Sequence, residues 1–315
     1  MKAPIPVRIG TRGSPLALYQ AQLIAREIER VSDGDLVGEI VAFTTKGDQL
    51  TSERLINSGG KGLFTREIDR AVDVGEVDIG VHSLKDVPSI LPEGQTLMAY
   101  PERVDPRDGF LTANGVRRLQ DLPQGAVIGT ASLRRESQAL ALRPDLKVVP
   151  FRGRVETRIE KLKRGEADAT FLAMAGLKRL GLEDLAHPVP MSDLLPAAGQ
   201  GIIAVAARAD QLPPATQSAL AAIDHAATRA MATAERAFLA ELDGSCRTAM
   251  AAQLTNIDGT WHLRGEVLTP DGQTKWSARA EALLSTSLQD LAALGRDLAT
   301  DIRAQAGGDL PVFTD

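Results

Sequence analysis

The chain alternates two rhythms of apolar residues. Short runs rich in β-branched residues, Val7–Thr11, Leu36–Thr44 and Val77–Val81, read as strands. Between them, Ser14–Val31 and Leu63–Val74 place apolar residues every three to four positions, the period of a helix lying on a core. The same rhythm returns downstream. Strands are expected at Ala126–Gly129, Lys147–Phe151 and Ala169–Leu172, and helices at Leu133–Leu142, Val155–Arg164 and around Gly176–Leu180. A βαβ rhythm predicts a mostly parallel, doubly wound sheet. The last third changes character. A helix over about Thr228–Leu242 is followed by strand-like runs Thr248–Leu254, Trp261–Leu268 and Lys275–Ala282, and then by a helix from about Leu288 to Arg303. The pairs Asp258-Gly259 and Asp271-Gly272 between those runs are hairpin signals, so this sheet is expected to be antiparallel.

The two α/β runs open alike. Ile9-Gly10-Thr11-Arg12-Gly13-Ser14 starts one and Ile128-Gly129-Thr130-Ala131-Ser132 the other: strand, glycine, threonine, then a serine opening a helix. Two similar α/β domains and a small third α+β domain follow, with joints near Pro101–Asp108 and Leu195–Gly201, where Pro and Gly gather. A length of 315 residues suits that division at about 150 residues per domain.

Composition excludes several classes. Hydrophobic residues at 43% and charged residues at 24% fit a globular fold. No apolar stretch approaches the ~18 residues of a membrane span. The N-terminal MKAPIPVRIGTRGS has no apolar h-region, so a cytoplasmic location is expected. The single cysteine, Cys246, excludes an internal disulfide framework, and His82, His187, His225 and His262 lack metal-ligand spacing, so no metal is expected. A net charge of −5 and 3% aromatic residues argue against nucleic acid as a partner. The 36 basic residues nevertheless divide into 27 Arg and 9 Lys. A coding bias explains much of the total, but Arg is also the side chain whose planar fork grips carboxylates and phosphates.

The positions of the arginines matter more than their number. Ser14, with Pro15 behind it, and Ser132 each cap a helix whose free N–H groups attract anions. Arg12 flanks the first, and Arg134 and Arg135 sit in the first turn of the second, where a cation opposes the helix dipole unless an anion offsets it. Arg152 ends a strand, Arg154 and Arg158 share a helix face, and Arg179 lies in the next helix. Ordinary capping and a solvated basic face remain the bland alternative to a multi-anion cleft. His82–Pro88 follows an apolar strand and carries Lys85 and Asp86. Asp86 there is either a general acid/base or counter-ion to a cation, or one half of a surface ion pair. Asp48–Gly62, with Gly59-Gly60-Lys61-Gly62, reads as a mobile flap and lacks the pattern of a P-loop. A lone cysteine is most often a small buried hydrophobe, but Gly244-Ser245-Cys246-Arg247 is a poor core segment and sets the thiol beside an arginine, so a reactive or covalently modified cysteine stands as the alternative.

In order along the chain, Arg8–Ala17, Gly59–Phe64, Val81–Pro88, Asp105–Asp108, Thr130–Arg135, Pro196–Gly201 and Thr233–Ala237 together resemble the porphobilinogen deaminase (hydroxymethylbilane synthase) family. The resemblance runs from about Val7 to Cys246. It implies two α/β domains resembling periplasmic-binding-protein lobes, 1–102 with 201–222 and 103–200, and a C-terminal α+β domain, 223–315, that carries the cofactor-attachment loop. It implies a dipyrromethane cofactor joined by a thioether to Cys246, and a transferase that couples four porphobilinogen molecules head to tail, releases ammonia each time, and frees hydroxymethylbilane by hydrolysis. By position, Asp86 matches the catalytic aspartate. Ser83, Lys85, Thr130, Ser132, Arg134 and Arg135 match cofactor-holding residues. Arg12, Ser14, Arg152, Arg158, Arg179 and Arg236 match residues that bind carboxylates of porphobilinogen and its polypyrrole intermediates, and Lys61 and Phe64 match the flap. The family implies a monomer, and the charge, aromatic content and lack of an apolar span argue against nucleic-acid and membrane partners. The chain departs from the family pattern at Asn57, Arg154, Ser245 and Ala249. A two-lobed, non-catalytic binding protein for an anionic solute would also explain the lobes and the arginines, though not Asp86 beside Lys85 or the loop cysteine. A cysteine hydrolase would require a histidine in reach of Cys246, which no motif supplies.

Overall fold

The computed structural model describes residues 3–49, 62–242, 249–307 and Leu310. In chain order the strands and helices are β1 (Ile5–Arg12), α1 (Pro15–Val31), β2 (Leu36–Phe43), the single turn α2 (Lys46–Gln49), α3 (Arg66–Asp73), β3 (Ile79–Ser83), β4 (Thr96–Ala99), β5 (Asp108–Thr112), β6 (Val127–Gly129), α4 (Leu133–Leu142), β7 (Lys147–Val149), α5 (Val155–Lys163), β8 (Ala169–Ala173), α6 (Met174–Arg179), β9 (His187–Pro188), β10 (Ile203–Ala207), α7 (Pro214–Ile223), α8 (Ala226–Glu241), β11 (Met250–Ile257), β12 (Thr260–Leu268), β13 (Lys275–Leu283) and α9 (Leu288–Ala306). The chain forms two compact units. The first comprises Met1–Gln49, Gly62–Val104 and Gly201–Arg229, and the second Leu50–Lys61, Asp105–Gln200 and Ala230–Asp315.

The first unit holds a five-stranded sheet in the order β2-β1-β3-β10-β4. β1 runs parallel to β2 and β3, whereas β10 is antiparallel to both β3 and β4. The parallel part matches the βαβ expectation, and the antiparallel strand is an addition to it. All five residues of β10 are buried, as a strand covered on both faces requires. Helix α1 starts where Ser14 accepts a hydrogen bond from the Ala17 N–H and Pro15 occupies the first turn. Its buried face, Ala17, Gln20, Ala21, Ile24 and Ile28, keeps helical spacing and packs on Val7, Ile9, Leu36 and Val81 of the sheet.

The second unit repeats the arrangement, with strand order β7-β6-β8-β5-β9. β6 is parallel to β7 and β8, and β5 is antiparallel to β8 and β9. Phe110 and Phe171 meet across this sheet with ring centroids 5.6 Å apart. Gly129 ends β6 because a Cβ there would lie 2.5 Å from the Phe151 ring. The same unit contains the three-stranded antiparallel sheet β11-β12-β13. One face of that sheet lies on α8 and α9. A Cβ at Gly265 would meet the Phe238 ring at 2.6 Å, and one at Gly295 would meet the Ala234 carbonyl at 2.3 Å, so strand and helices are in backbone contact.

Candidate active site

In the first unit the polar groups gather at the carboxyl ends of β1 and β3, where open α/β sheets place their ligands. β1 delivers Arg12. Its guanidinium donates to Asp48 through Nε (3.2 Å) and Nη2 (2.5 Å), lies 4.5 Å from the centre of the Phe64 ring, and brings Nη1 to 3.9 Å from Asp86 Oδ2. Asp48 also accepts from the N–H and hydroxyl of Thr45. Burial alone would raise the Asp48 carboxyl, but the bonds from Arg12 and Thr45 outweigh it and hold the group below the usual carboxylate range. Arg12 is thus a pre-oriented cation with an internal counter-ion.

Ser83 closes β3, and its hydroxyl accepts from the Gln20 amide of α1 at 2.9 Å. Lys85 and Asp86 follow in a 3-10 turn, Leu84–Asp86, whose Leu84 is anchored in the core. The Leu84 N–H donates to the Ile202 carbonyl at 2.9 Å, which fixes the turn to the strand end of β10. The Asp86 side chain keeps 28% of its surface exposed. Ser14 is engaged as the α1 cap.

In the second unit the Thr130 hydroxyl accepts from the Ser132 N–H at 3.1 Å, and Ser132 caps α4 by accepting from the Arg135 N–H. The two arginines of the first α4 turn do not point to solvent. Arg134 Nη1 donates to Asp108 Oδ2 and to the Leu195 carbonyl, both at 2.8 Å. Arg135 donates to Asp108 Oδ1 through Nε at 3.0 Å and Nη2 at 2.7 Å, and to the Phe171 carbonyl at 2.9 Å. Gln200 Nε2 adds a bond to the same aspartate at 3.1 Å. Burial opposes the Asp108 charge, yet the two guanidiniums win and hold its carboxyl far below the ordinary range. The anion that the sequence demanded beside Arg134 and Arg135 is therefore supplied, in part, from within. One carboxylate faces two guanidiniums, so one positive charge of the trio is not balanced by Asp108. Arg134 Nε is buried and has no hydrogen-bond partner among the described residues.

Arg152 is buried just past β7, Arg179 is buried at the end of α6, and Arg236 is half-buried on α8. Arg158 turns back on its own loop, its Nε donating to the Gly153 carbonyl at 2.9 Å. Lys61, Asn57 and the Gly244–Arg247 loop with Cys246 lie outside the described residues.

Three acids that position this machinery carried no role in the sequence reading. Asp108 stands in the quoted block Asp105–Asp108, but its partners are more than twenty residues away. Asp48 opens the segment Asp48–Gly62 whose pattern reads as a flap, and its pairing with Arg12 has no signal in the spacing. Glu235, fully buried in the quoted block Thr233–Ala237, accepts from the Gly199 N–H at 2.7 Å and the Leu254 N–H at 2.9 Å, and so ties the Pro196–Gly201 turn to β11. A buried acid inside an otherwise apolar helix face was the available signal.

Among the described residues, no cluster of His, Cys, Asp and Glu could hold a metal ion, and no helix is long and apolar enough to cross a membrane.

Comparison with known proteins extends this picture. Residues 7–214 match the family model for the porphobilinogen deaminase dipyromethane cofactor binding domain, and residues 230–304 match that for the porphobilinogen deaminase C-terminal domain. The porphobilinogen deaminase of Paracoccus denitrificans is 48% identical over 308 residues, covering 96% of each chain. The chloroplastic porphobilinogen deaminase of Oryza sativa subsp. japonica is 44% identical over 310 residues, covering 96% of this chain and 84% of that one. A TRAP periplasmic solute binding protein from Desulfovibrio salexigens aligns at a TM-score of 0.44 and 14% identity over 70% of this chain and 73% of that one. Matched by both family models and by full-length relatives, the chain belongs to the porphobilinogen deaminase family.

Proposed function

We propose that this protein is the transferase of tetrapyrrole (haem) biosynthesis that deaminates porphobilinogen, joins four molecules head to tail on a covalently held dipyrromethane primer, and frees hydroxymethylbilane by hydrolysis. The observation that carries the reading is the match of residues 7–214 to the dipyrromethane cofactor binding domain. Family membership sets aside the non-catalytic binding protein. The protein acts as a cytoplasmic monomer.

The residues present fit such a group. Its carboxylates need guanidinium and hydroxyl donors, and the second unit offers a helix N-terminus, two hydroxyls and the unsatisfied Arg134 Nε. Thr130 and Ser132 accept from the backbone, which leaves each O–H free to donate outward. Arg134 and Arg135 are locked by Asp108, so they meet a carboxylate without losing further side-chain freedom. The dipyrromethane, when bound, supplies the pyrrole terminus on which the chain grows, and Cys246 is its proposed attachment point.

In the first unit, Ser83 and Lys85 precede the proposed catalytic group on one turn. Loss of ammonia from porphobilinogen leaves an electron-poor cation. The Asp86 carboxylate stabilises positive charge, accepts pyrrole N–H bonds and can take up a proton. Arg12, held by Asp48 and stacked near Phe64, binds substrate carboxylate, with Ser14, Arg152, Arg158, Arg179 and Arg236 as further carboxylate-binding groups and Lys61 and Phe64 as the proposed flap residues.

Intact-protein mass spectrometry tests the reading. The wild type should exceed the mass of its polypeptide and gain further mass with porphobilinogen, while Cys246→Ala should stay at the polypeptide mass. A wild type of bare polypeptide mass that is inert toward porphobilinogen would overturn it.

A further inference from the structure

α1 carries one polar residue on its buried face. Ala17, Ala21, Ile24 and Ile28 are the apolar members of that face, and Gln20, only 2% exposed, is the exception. A buried amide is costly unless its hydrogen bonds are made. Both ends of this amide meet one side chain from another element. Gln20 Nε2 donates to Ser83 Oγ at 2.9 Å, and Gln20 Oε1 lies 3.3 Å from the same hydroxyl.

The Ser83 backbone is fixed independently. Ser83 pairs with Ile203 of β10, and the next N–H, that of Leu84, donates to the Ile202 carbonyl at 2.9 Å. Strand pairing leaves the direction of the hydroxyl open. Ser14 and Ser132 commit their oxygens to N–H groups of the helices they open, whereas the Ser83 side chain makes no such bond to the 3-10 turn that follows it. Among the described residues, Gln20 is the group that sets the Ser83 oxygen.

A hydroxyl accepts up to two bonds and donates one. Its two contacts with Gln20 are unequal. The 2.9 Å contact has the ordinary length of an N–H···O bond, whereas 3.3 Å is well beyond the ~2.7–2.8 Å at which O–H···O bonds cluster. Gln20 therefore anchors the oxygen firmly and retains the proton weakly. A carboxylate at the end of β3 offers that proton a stronger, charge-assisted bond, while Nε2 keeps the oxygen in place.

We propose that Gln20 is a positioning residue: its amide, buried behind Ser83, holds the Ser83 oxygen from the α1 side so that the hydroxyl gives its proton to a carboxylate of the dipyrromethane cofactor. This rests on the assignment of Ser83 to cofactor binding. Two substitutions separate such a role from packing. Gln20→Met keeps the length of the side chain and suits the apolar face, but releases the Ser83 hydroxyl. Gln20→Glu keeps the shape, but an ionised carboxylate only accepts, so the hydroxyl must turn its proton toward α1 and away from the ligand.

The test uses the purified full chain. Intact mass gives the share of chains that carry the cofactor, and the half-time over which the remaining chains gain its mass when porphobilinogen is supplied. Gln20→Met should lengthen that half-time by about threefold or more, and Gln20→Glu by about tenfold or more. The thermal midpoint of Gln20→Met should stay within about 3 °C of wild type. In a Ser83→Ala background, Gln20→Met should add no further delay, because its effect passes through the hydroxyl. Wild-type half-times in both Gln20 variants would overturn the proposal, and so would a delay from Gln20→Met that persists in full without the Ser83 hydroxyl. If Gln20→Met does not fold, Gln20→Glu decides in the same way; failure of both to fold would assign Gln20 to the core and end the proposal. A wild type that neither carries nor gains the added mass defeats the assigned function, whereas a loaded wild type with unmoved variants defeats only the role of Gln20.

Discussion

Asp108→Asn isolates the largest electrostatic debt in the second unit. The substitution keeps the size of the side chain and removes its charge. Asp108 has no exposed surface and accepts bonds from Arg134 Nη1, Arg135 Nε, Arg135 Nη2 and Gln200 Nε2. An asparagine offers one oxygen in place of two and turns an NH2 group toward guanidinium donors. Two buried cations then lack their shared counter-ion. Breaking a buried ion pair from one side costs about 3–5 kcal/mol, and here two pairs break at once, so the upper half of that range is expected. In a unit of about 150–250 residues each kcal/mol moves the thermal midpoint by roughly 2–4 °C, which gives a fall of about 10 °C or more. Circular dichroism melts of the holoprotein measure it. Added chloride should recover part of the loss by occupying the vacated anion position. The double variant Asp108→Asn with Arg135→Met should be less destabilised than the sum of the two single changes, because the second removes a cation that the first had orphaned. A midpoint within about 3 °C of wild type would refute the reasoning, because it would mean that the arginines find solvent or another acid at little cost.

Three further outcomes follow from other sites. Asp86→Asn should lose about a hundredfold or more in kcat with its thermal midpoint unchanged, since the side chain is partly exposed and its ion pair with Arg12 is a long 3.9 Å approach; steady-state turnover near wild type would count against a catalytic Asp86. Gly129→Ala should cost about 1–3 kcal/mol in thermal or urea unfolding, because the new methyl meets the Phe151 ring at 2.5 Å and that ring is 2% exposed with nowhere to move; a neutral effect would show that the ring can shift. Burial pushes Asp69 up to about 6 and His82, 3.7 Å away, down to about 4. The Asp69 contribution to stability is present at low pH and lost as pH rises through about 6, whereas that of His82 is present at neutral pH and lost as pH falls through about 4. The two slopes oppose each other, so stability of the wild type should be nearly flat between those values. Asp69→Asn should unmask a rise with pH of up to about 3 kcal/mol from the histidine alone, and His82→Gln a fall of similar size; urea midpoints of the variants across that window that stay as flat as wild type would exclude the linkage.

Strong local signals made most of the fold legible. Helix α4 coincides with the expected Leu133–Leu142, opened by the Ser132 cap, and α1 starts at Pro15, one residue after the Ser14 that opens the expected helix and caps the observed one. The expected hairpin turns at Asp258-Gly259 and Asp271-Gly272 fall between β11, β12 and β13 as the antiparallel register requires. What escaped was non-local. β4, β5 and β10 are no shorter than strands that the pattern did show, but they lie outside the βαβ rhythm, in or beside the segments read as joints, and each is antiparallel to at least one neighbour. β10 reads as the end of a joint because its pairing partners, β3 and β4, lie about a hundred residues earlier in the chain. The arginines proposed to bind carboxylate were legible near strand and helix ends. Their charge balance was not, because a counter-ion such as Asp108 is chosen by tertiary pairing rather than by spacing.

That charge balance gives the two units a common design despite their different sequences. Each begins a helix with a serine cap at the carboxyl end of its sheet, and each places arginine beside that cap, where the helix dipole disfavours it. Each offsets the cation with an aspartate from another element, Asp48 for Arg12 and Asp108 for Arg134 and Arg135. An arginine left to solvent would have to be ordered anew by every carboxylate that arrives, at a side-chain entropy cost of up to about 2 kcal/mol. A fully neutralised one would attract nothing. Holding each guanidinium by part of its donor fork meets both requirements: the side chain is already ordered, and donors such as Arg134 Nε remain unsatisfied. An enzyme whose substrate brings carboxylates with every ring needs cations that are ready before each arrival and do not bind so tightly that the lengthening chain stalls. Internal aspartates beside the arginines proposed to bind those carboxylates would supply both conditions in a protein whose net charge is −5.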